Sequence, residues 1–91
     1  MKRIIKNHEV RRVAMAILHY LGDHPSAKDS ARGVAKWWVG EEREVVEKAL
    51  ALLVKEGVIE KKRHLYQLTQ RHLAPASRVD MEKTLRRLRR S

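Results

Sequence analysis

From Asn7 to Leu21 the apolar residues Val10, Val13, Ala14, Ile17, Leu18 and Leu21 fall at i, i+3, i+4, i+7, i+8 and i+11. That spacing paints one stripe on a helix of 3.6 residues per turn. Asn7 is placed to cap its start, Gly22 to supply a left-handed stop, and Pro25 to forbid continuation. A second, shorter helix is predicted after Ser26 or Asp29-Ser30, with Ala31, Val34, Ala35 and Trp38 on its stripe and Trp37 at the boundary of the core or beside another element. Gly33 in its middle costs about 1 kcal/mol against alanine, tolerable if the first helix passes close there, and Val39-Gly40 is expected to break the second. The third helix is predicted from about Glu41 to Glu56, with Val46, Ala49, Leu50 and Leu53 inward, widened by Val45, Leu52 and Val54. Glu41, Glu42 and Glu44 crowd its first turn, where the helix dipole favours acids, and Gly57 ends it.

Beyond Gly57 the period drops towards two. Val58-Ile59-Glu60 and Leu65-Tyr66-Gln67-Leu68-Thr69 read as short strands, with Lys61-Lys62-Arg63-His64 as a basic hairpin tip. Alternation puts Tyr66 and Leu68 on one face, towards the helices. The tip has no Asn-Gly or Asp-Gly signal, so the register stays open. Gln70 to Ser77 reads as a connector. A last helix follows from Ser77 or Asp80, with Met81, Leu85 and Leu88 on a stripe flanked by Lys83, Arg86, Arg87, Arg89 and Arg90. Three apolar residues do not hold such a helix alone in water, so it is expected to dock or to pair with another chain. The predicted organisation is one domain over residues 1–69, then a connector and basic amphipathic helix over 70–91.

Charge adds a partner to this picture. The 91 residues carry a formal +10, concentrated at the ends: five cations against Glu9 in residues 1–12, and six against two acids in 78–91. Residues 13–77 are nearly balanced. Basic ends on a balanced body point to a polyanion, because a Lys or Arg beside a phosphate releases a condensed counterion. Absent cysteine removes disulfides, thiolate metal sites and a cysteine nucleophile. His8, His19, His24, His64 and His72 have no ligand spacing, so neither a metal nor another cofactor is expected. No nucleophile–base arrangement or phosphate-cradling glycine loop points to an enzyme. No apolar run is long enough to span a membrane, and Met1-Lys2-Arg3-Ile4-Ile5-Lys6 breaks a signal-peptide pattern, so a cytoplasmic protein is expected.

Val34-Ala35-Lys36-Trp37-Trp38-Val39-Gly40, the positions Val46, Leu50 and Leu53, Lys55-Glu56-Gly57-Val58-Ile59 and the return strand Leu65-Tyr66-Gln67-Leu68-Thr69 together resemble the winged helix-turn-helix regulators of bacteria and archaea. The resemblance spans about residues 8–69. It implies a mainly α fold, a three-helix core with a two-stranded wing, and a transcriptional regulator contacting duplex DNA through its third helix and wing. Carried over residue by residue, it puts Arg43, Glu44, Glu47 and Lys48 at the groove and Lys61, Lys62, Arg63 and His64 on the wing. Lys28, Arg32 and Lys36 on the second helix would hold phosphates. Homodimerisation is expected through the first and C-terminal helices. One feature opposes the DNA reading. Residues 41–56 hold five glutamates against three cations, an acidic surface that repels phosphate. A protein-assembly module using that helix, or binding to structured RNA through the basic ends, therefore remains open.

Overall fold

A computed structural model describes residues 4–69 and Arg86. Helix α1 spans Asn7–Asp23, strand β1 Lys28–Asp29 and helix α2 Ala31–Gly33, which runs on into a π-wound segment, Val34–Val39. Helix α3 spans Arg43–Lys55, followed by strands β2, Ile59–Lys62, and β3, Leu65–Leu68. This is the winged-helix arrangement the sequence predicts. The connector and C-terminal helix lie outside the described residues, Arg86 excepted.

The stripe on α1 is buried as its spacing predicts: Val13, Ala14, Ile17, Leu18 and Leu21 are inaccessible, facing Val45, Val46, Ala49, Leu50 and Leu53 of α3. Ile59 and Leu68 of the sheet, with Val58 just before β2, close the core. Both ends of α1 differ from expectation. Lys6, not Asn7, is the capping position; its carbonyl accepts from the N–H groups of Glu9 and Val10 (3.0 and 3.2 Å), with no side-chain cap. Gly22 stays helical, and the chain leaves the helix only at His24, whose N–H donates to the Tyr20 carbonyl (2.9 Å). Glycine permits a left-handed stop without enforcing one, whereas Pro25 removes the donor that a further turn requires.

The second helix departs furthest from a regular rod. Ser30 caps it, Oγ accepting from the Gly33 N–H at 3.1 Å. From Val34 the winding opens to the wider π form, ending at Gly40, which adopts the left-handed φ of 62°. Periodicity at 3.6 residues carries no trace of such a turn. It puts Trp38 against Tyr20 of α1, the rings stacked 4.7 Å apart at 14°. Trp37, expected at the core boundary, is instead 69% exposed.

Among the described residues the sheet has three strands, not two, in the order β1-β3-β2, all antiparallel. Lys28 and Asp29 pair with Gln67 and Tyr66, so Lys28 sits on a strand rather than on the second helix. In the hairpin Ile59 pairs with Leu68 and Lys62 with Leu65. Lys61 and Lys62 are therefore strand residues, and the tip is only Arg63-His64. Arg63 takes the positive φ of 59° that a two-residue hairpin turn demands, without the Asn or Gly that usually supplies it.

Gly33 is required by Asp29, not by the first helix. Asp29 Oδ1 accepts from the Ser30 N–H at 2.8 Å, and a Cβ at Gly33 would fall inside that same carboxylate. Gly33→Ala gains about 1 kcal/mol of helix propensity but displaces a hydrogen bond to a charged group, of order 1.5–3 kcal/mol. The variant should be about 1 kcal/mol less stable in urea denaturation. In an Asp29→Ala background most of that penalty should vanish. Equal penalties in the two backgrounds would remove the carboxylate from the explanation.

Candidate nucleic-acid interface

Three elements meet around an open groove of about 660 Å³. The start of α2 contributes Ser30, Ala31 and Arg32, the first turns of α3 contribute Arg43 and Glu47, and the wing contributes Lys61, His64 and Tyr66. Residues on alternate positions of a strand share a face. Ile59, Lys61, Tyr66 and Leu68 consequently share the inner face. Ile59 and Leu68 are buried in the core, while Lys61 reaches beyond it into the groove, Nζ lying 5.6 Å from the centroid of the Tyr66 ring. Among the described residues, three permanent cations thus line the groove against one carboxylate. That carboxylate is engaged: Glu47 Oε1 accepts from Arg43 Nε–H at 3.0 Å, one helical turn away.

The remaining candidate residues lie elsewhere. Glu44 and Lys48, also one turn apart, are exposed on α3 outside the groove lining. Lys36 is exposed with Nζ 4.9 Å from the centroid of the Trp37 ring. Arg63 occupies the exposed tip. Lys28 and Lys62 sit with Glu60 and Gln67 around a smaller cleft of about 180 Å³ on the sheet's other side. There Glu60 accepts from Gln67 Nε2 at 3.0 Å and lies 3.5 Å from Lys62 Nζ. The Gln67 hydrogen bond, helped by the charge of Lys62, holds the Glu60 carboxyl below the usual carboxylate range against a smaller desolvation effect. The structure thus gathers Arg32, Arg43, Glu47, Lys61 and His64 and leaves the other six apart. Ser30 and Tyr66 also line the groove, although the sequence marked them only as a helix cap and as an inner-face strand residue and not as site residues.

The acidic surplus over residues 41–56 is not a property of the helix. Glu41 and Glu42 precede α3 and Glu56 follows it, leaving Arg43, Lys48 and Lys55 against Glu44 and Glu47. Glu41 is turned away to α1, where Arg12 Nη1 and Nη2 donate to its carboxylate at 2.9 and 3.3 Å.

A family model described as "Winged helix DNA-binding domain" matches residues 10–71, well over half of the chain. The chain belongs to the winged helix DNA-binding domain family. No curated protein and no solved structure matches it. Membership gives this winged-helix domain a DNA-binding role with duplex DNA as its partner, in a family that is typically non-enzymatic. The match takes in all three helices from Val10 onward and the complete wing, so every groove residue falls within it. Among the described residues no helix is long and apolar enough to cross a membrane.

Proposed function

We propose that this winged-helix protein is a transcriptional regulator that seats duplex DNA against the groove between α2, α3 and the wing. The observation that carries the reading is the convergence of Arg32, Arg43, Lys61 and His64 from three separate elements on one concave surface. Arg32 and Lys61 hold phosphates, fixing the register of the duplex, and the start of α3 faces base edges in the major groove. Arg63 at the tip reaches the backbone beyond. Glu44 and Lys48 lie towards the margin of this footprint, and Lys28, Lys36 and Lys62 contribute through the field they add around it. Two copies joined through α1 and the C-terminal helix would present two wings to successive turns of the duplex.

The competing assembly reading draws on the acidic surplus of residues 41–56; against it, Glu41 is held by Arg12 and α3 itself carries three cations against two glutamates. Fluorescence anisotropy with labelled duplex DNA tests the proposal at about 50 and about 200 mM salt. Affinity should fall steeply between the two, with a log–log slope of about −0.9 for each phosphate neutralised. Absent binding at low salt, or binding indifferent to salt, defeats it. Stronger competition by duplex RNA than by duplex DNA would move the function to RNA.

A further inference from the structure

We infer that Arg43 is the residue through which this domain selects a guanine, and that Glu47 is the positioning residue that makes the selection possible. The inference rests on the DNA-binding reading above and adds to it a specificity determinant. Arg43 is the first residue of α3, at the end of a recognition helix that meets base edges. A free arginine in such a place has two competing uses: swinging to a phosphate, or presenting its planar fork to the O6 and N7 acceptors of guanine. The Glu47 carboxylate biases that choice in two ways.

By accepting from Nε–H at 3.0 Å it takes up one edge of the guanidinium. The terminal Nη groups remain as the free donors, and two parallel donors are what guanine O6 and N7 require. By placing a negative charge beside the guanidinium it also reduces the pull of the phosphates on Arg43. Arg32 and Lys61, on the other walls of the same groove, are left as the phosphate ligands. Ala51, one turn beyond Glu47 on the exposed side of α3, adds no bulk that would hold the helix away from the bases. The inference also gives the glutamate a purpose in a groove that is otherwise basic. It aims a cation rather than meeting the DNA itself.

The test uses the full chain and a pool of duplexes with a randomised centre, selected at about 150 mM salt and sequenced. The wild-type protein should enrich guanine at one fixed position of its site, by about 10-fold over the other bases. Arg43→Ala and Arg43→Lys should lose the preference at that position while still binding the pool with a salt-dependent affinity. Glu47→Ala should flatten the preference there with pool affinity unchanged or raised, a split that loss of helix stability alone does not produce. Glu47→Gln, which keeps an Oε1 acceptor but loses the charge, should retain part of the preference, between wild type and Glu47→Ala. Both side chains are exposed, and exposed pairs contribute little to folding, so the variants keep their fold. Guanine enrichment by Arg43→Ala, or enrichment by Glu47→Ala as sharp as that of the wild type, overturns the inference. So does salt-dependent wild-type binding with no base preference, which leaves the DNA-binding reading standing. Failure of the wild type to bind the pool at low salt overturns both.

Discussion

Leu50→Ala should lower the unfolding free energy by about 3 kcal/mol, within the range of about 2–5 kcal/mol for emptying a fully buried leucine site. Leu50 has no accessible surface and belongs to the core that α1 and α3 share, these two forming the broadest helix–helix contact among the described residues. Deleting its isobutyl group removes the transfer energy of the lost carbons and leaves a cavity between two rigid helices that collapse only partly. For a domain of this size total stability is only a few kcal/mol, so the variant sits close to its folding threshold. Val54 provides the contrast. It is on the same helix, 39% exposed, and Val54→Ala should change stability by less than about 1 kcal/mol. Urea denaturation followed by circular dichroism measures both, with the slope m held constant as the sign that only stability has changed. Comparable losses for the two variants would mean that α3 does not bury the face assigned to it.

The buried side of that contrast was legible in the sequence, whereas Val54, read there as widening the inner stripe, is exposed. The stripes of α1 and α3 are long, regular and bounded by breakers, so periodicity alone assigns their inner residues. The same logic failed where structure is set by distant partners. Strand β1 is two residues long, with no period to detect, and exists because Lys28 and Asp29 meet Gln67 and Tyr66, nearly forty positions onward. The π winding of Val34–Val39 coincides with the stacking of Trp38 on Tyr20, a tertiary contact invisible to helical spacing. Glu41 and Glu42 look like first-turn acids because helix dipoles favour them there, yet Arg12 of α1 competes for Glu41 and the helix begins only at Arg43. Charge was legible as a sum and not as a location. Lys61 and Lys62 are neighbours in the chain and identical in chemistry, and only the register of β2 against β3 sends one into the groove and the other to the far side of the sheet.

This separation permits a test in which net charge is constant and only position varies. Arg32→Ala with Lys61→Ala, and Lys28→Ala with Lys62→Ala, each remove two positive charges. If the groove holds the duplex, the first pair loses two phosphate contacts. Its salt slope should shrink by about 1.8, which by counterion release alone corresponds to about 50-fold weaker binding near 0.1 M salt. The second pair acts through the long-range field, which is screened over about 10 Å at that salt, and Lys62 is already partly neutralised by Glu60 at 3.5 Å. Its loss should stay within about 5-fold, with the slope nearly unchanged. Anisotropy titrations of both double variants across a salt series read the two quantities together. Equal losses would mean that DNA responds to the total charge of the domain rather than to the groove. A larger loss for Lys28 and Lys62 would turn the duplex onto the outer face of the sheet, and Arg43 would then have no base within reach.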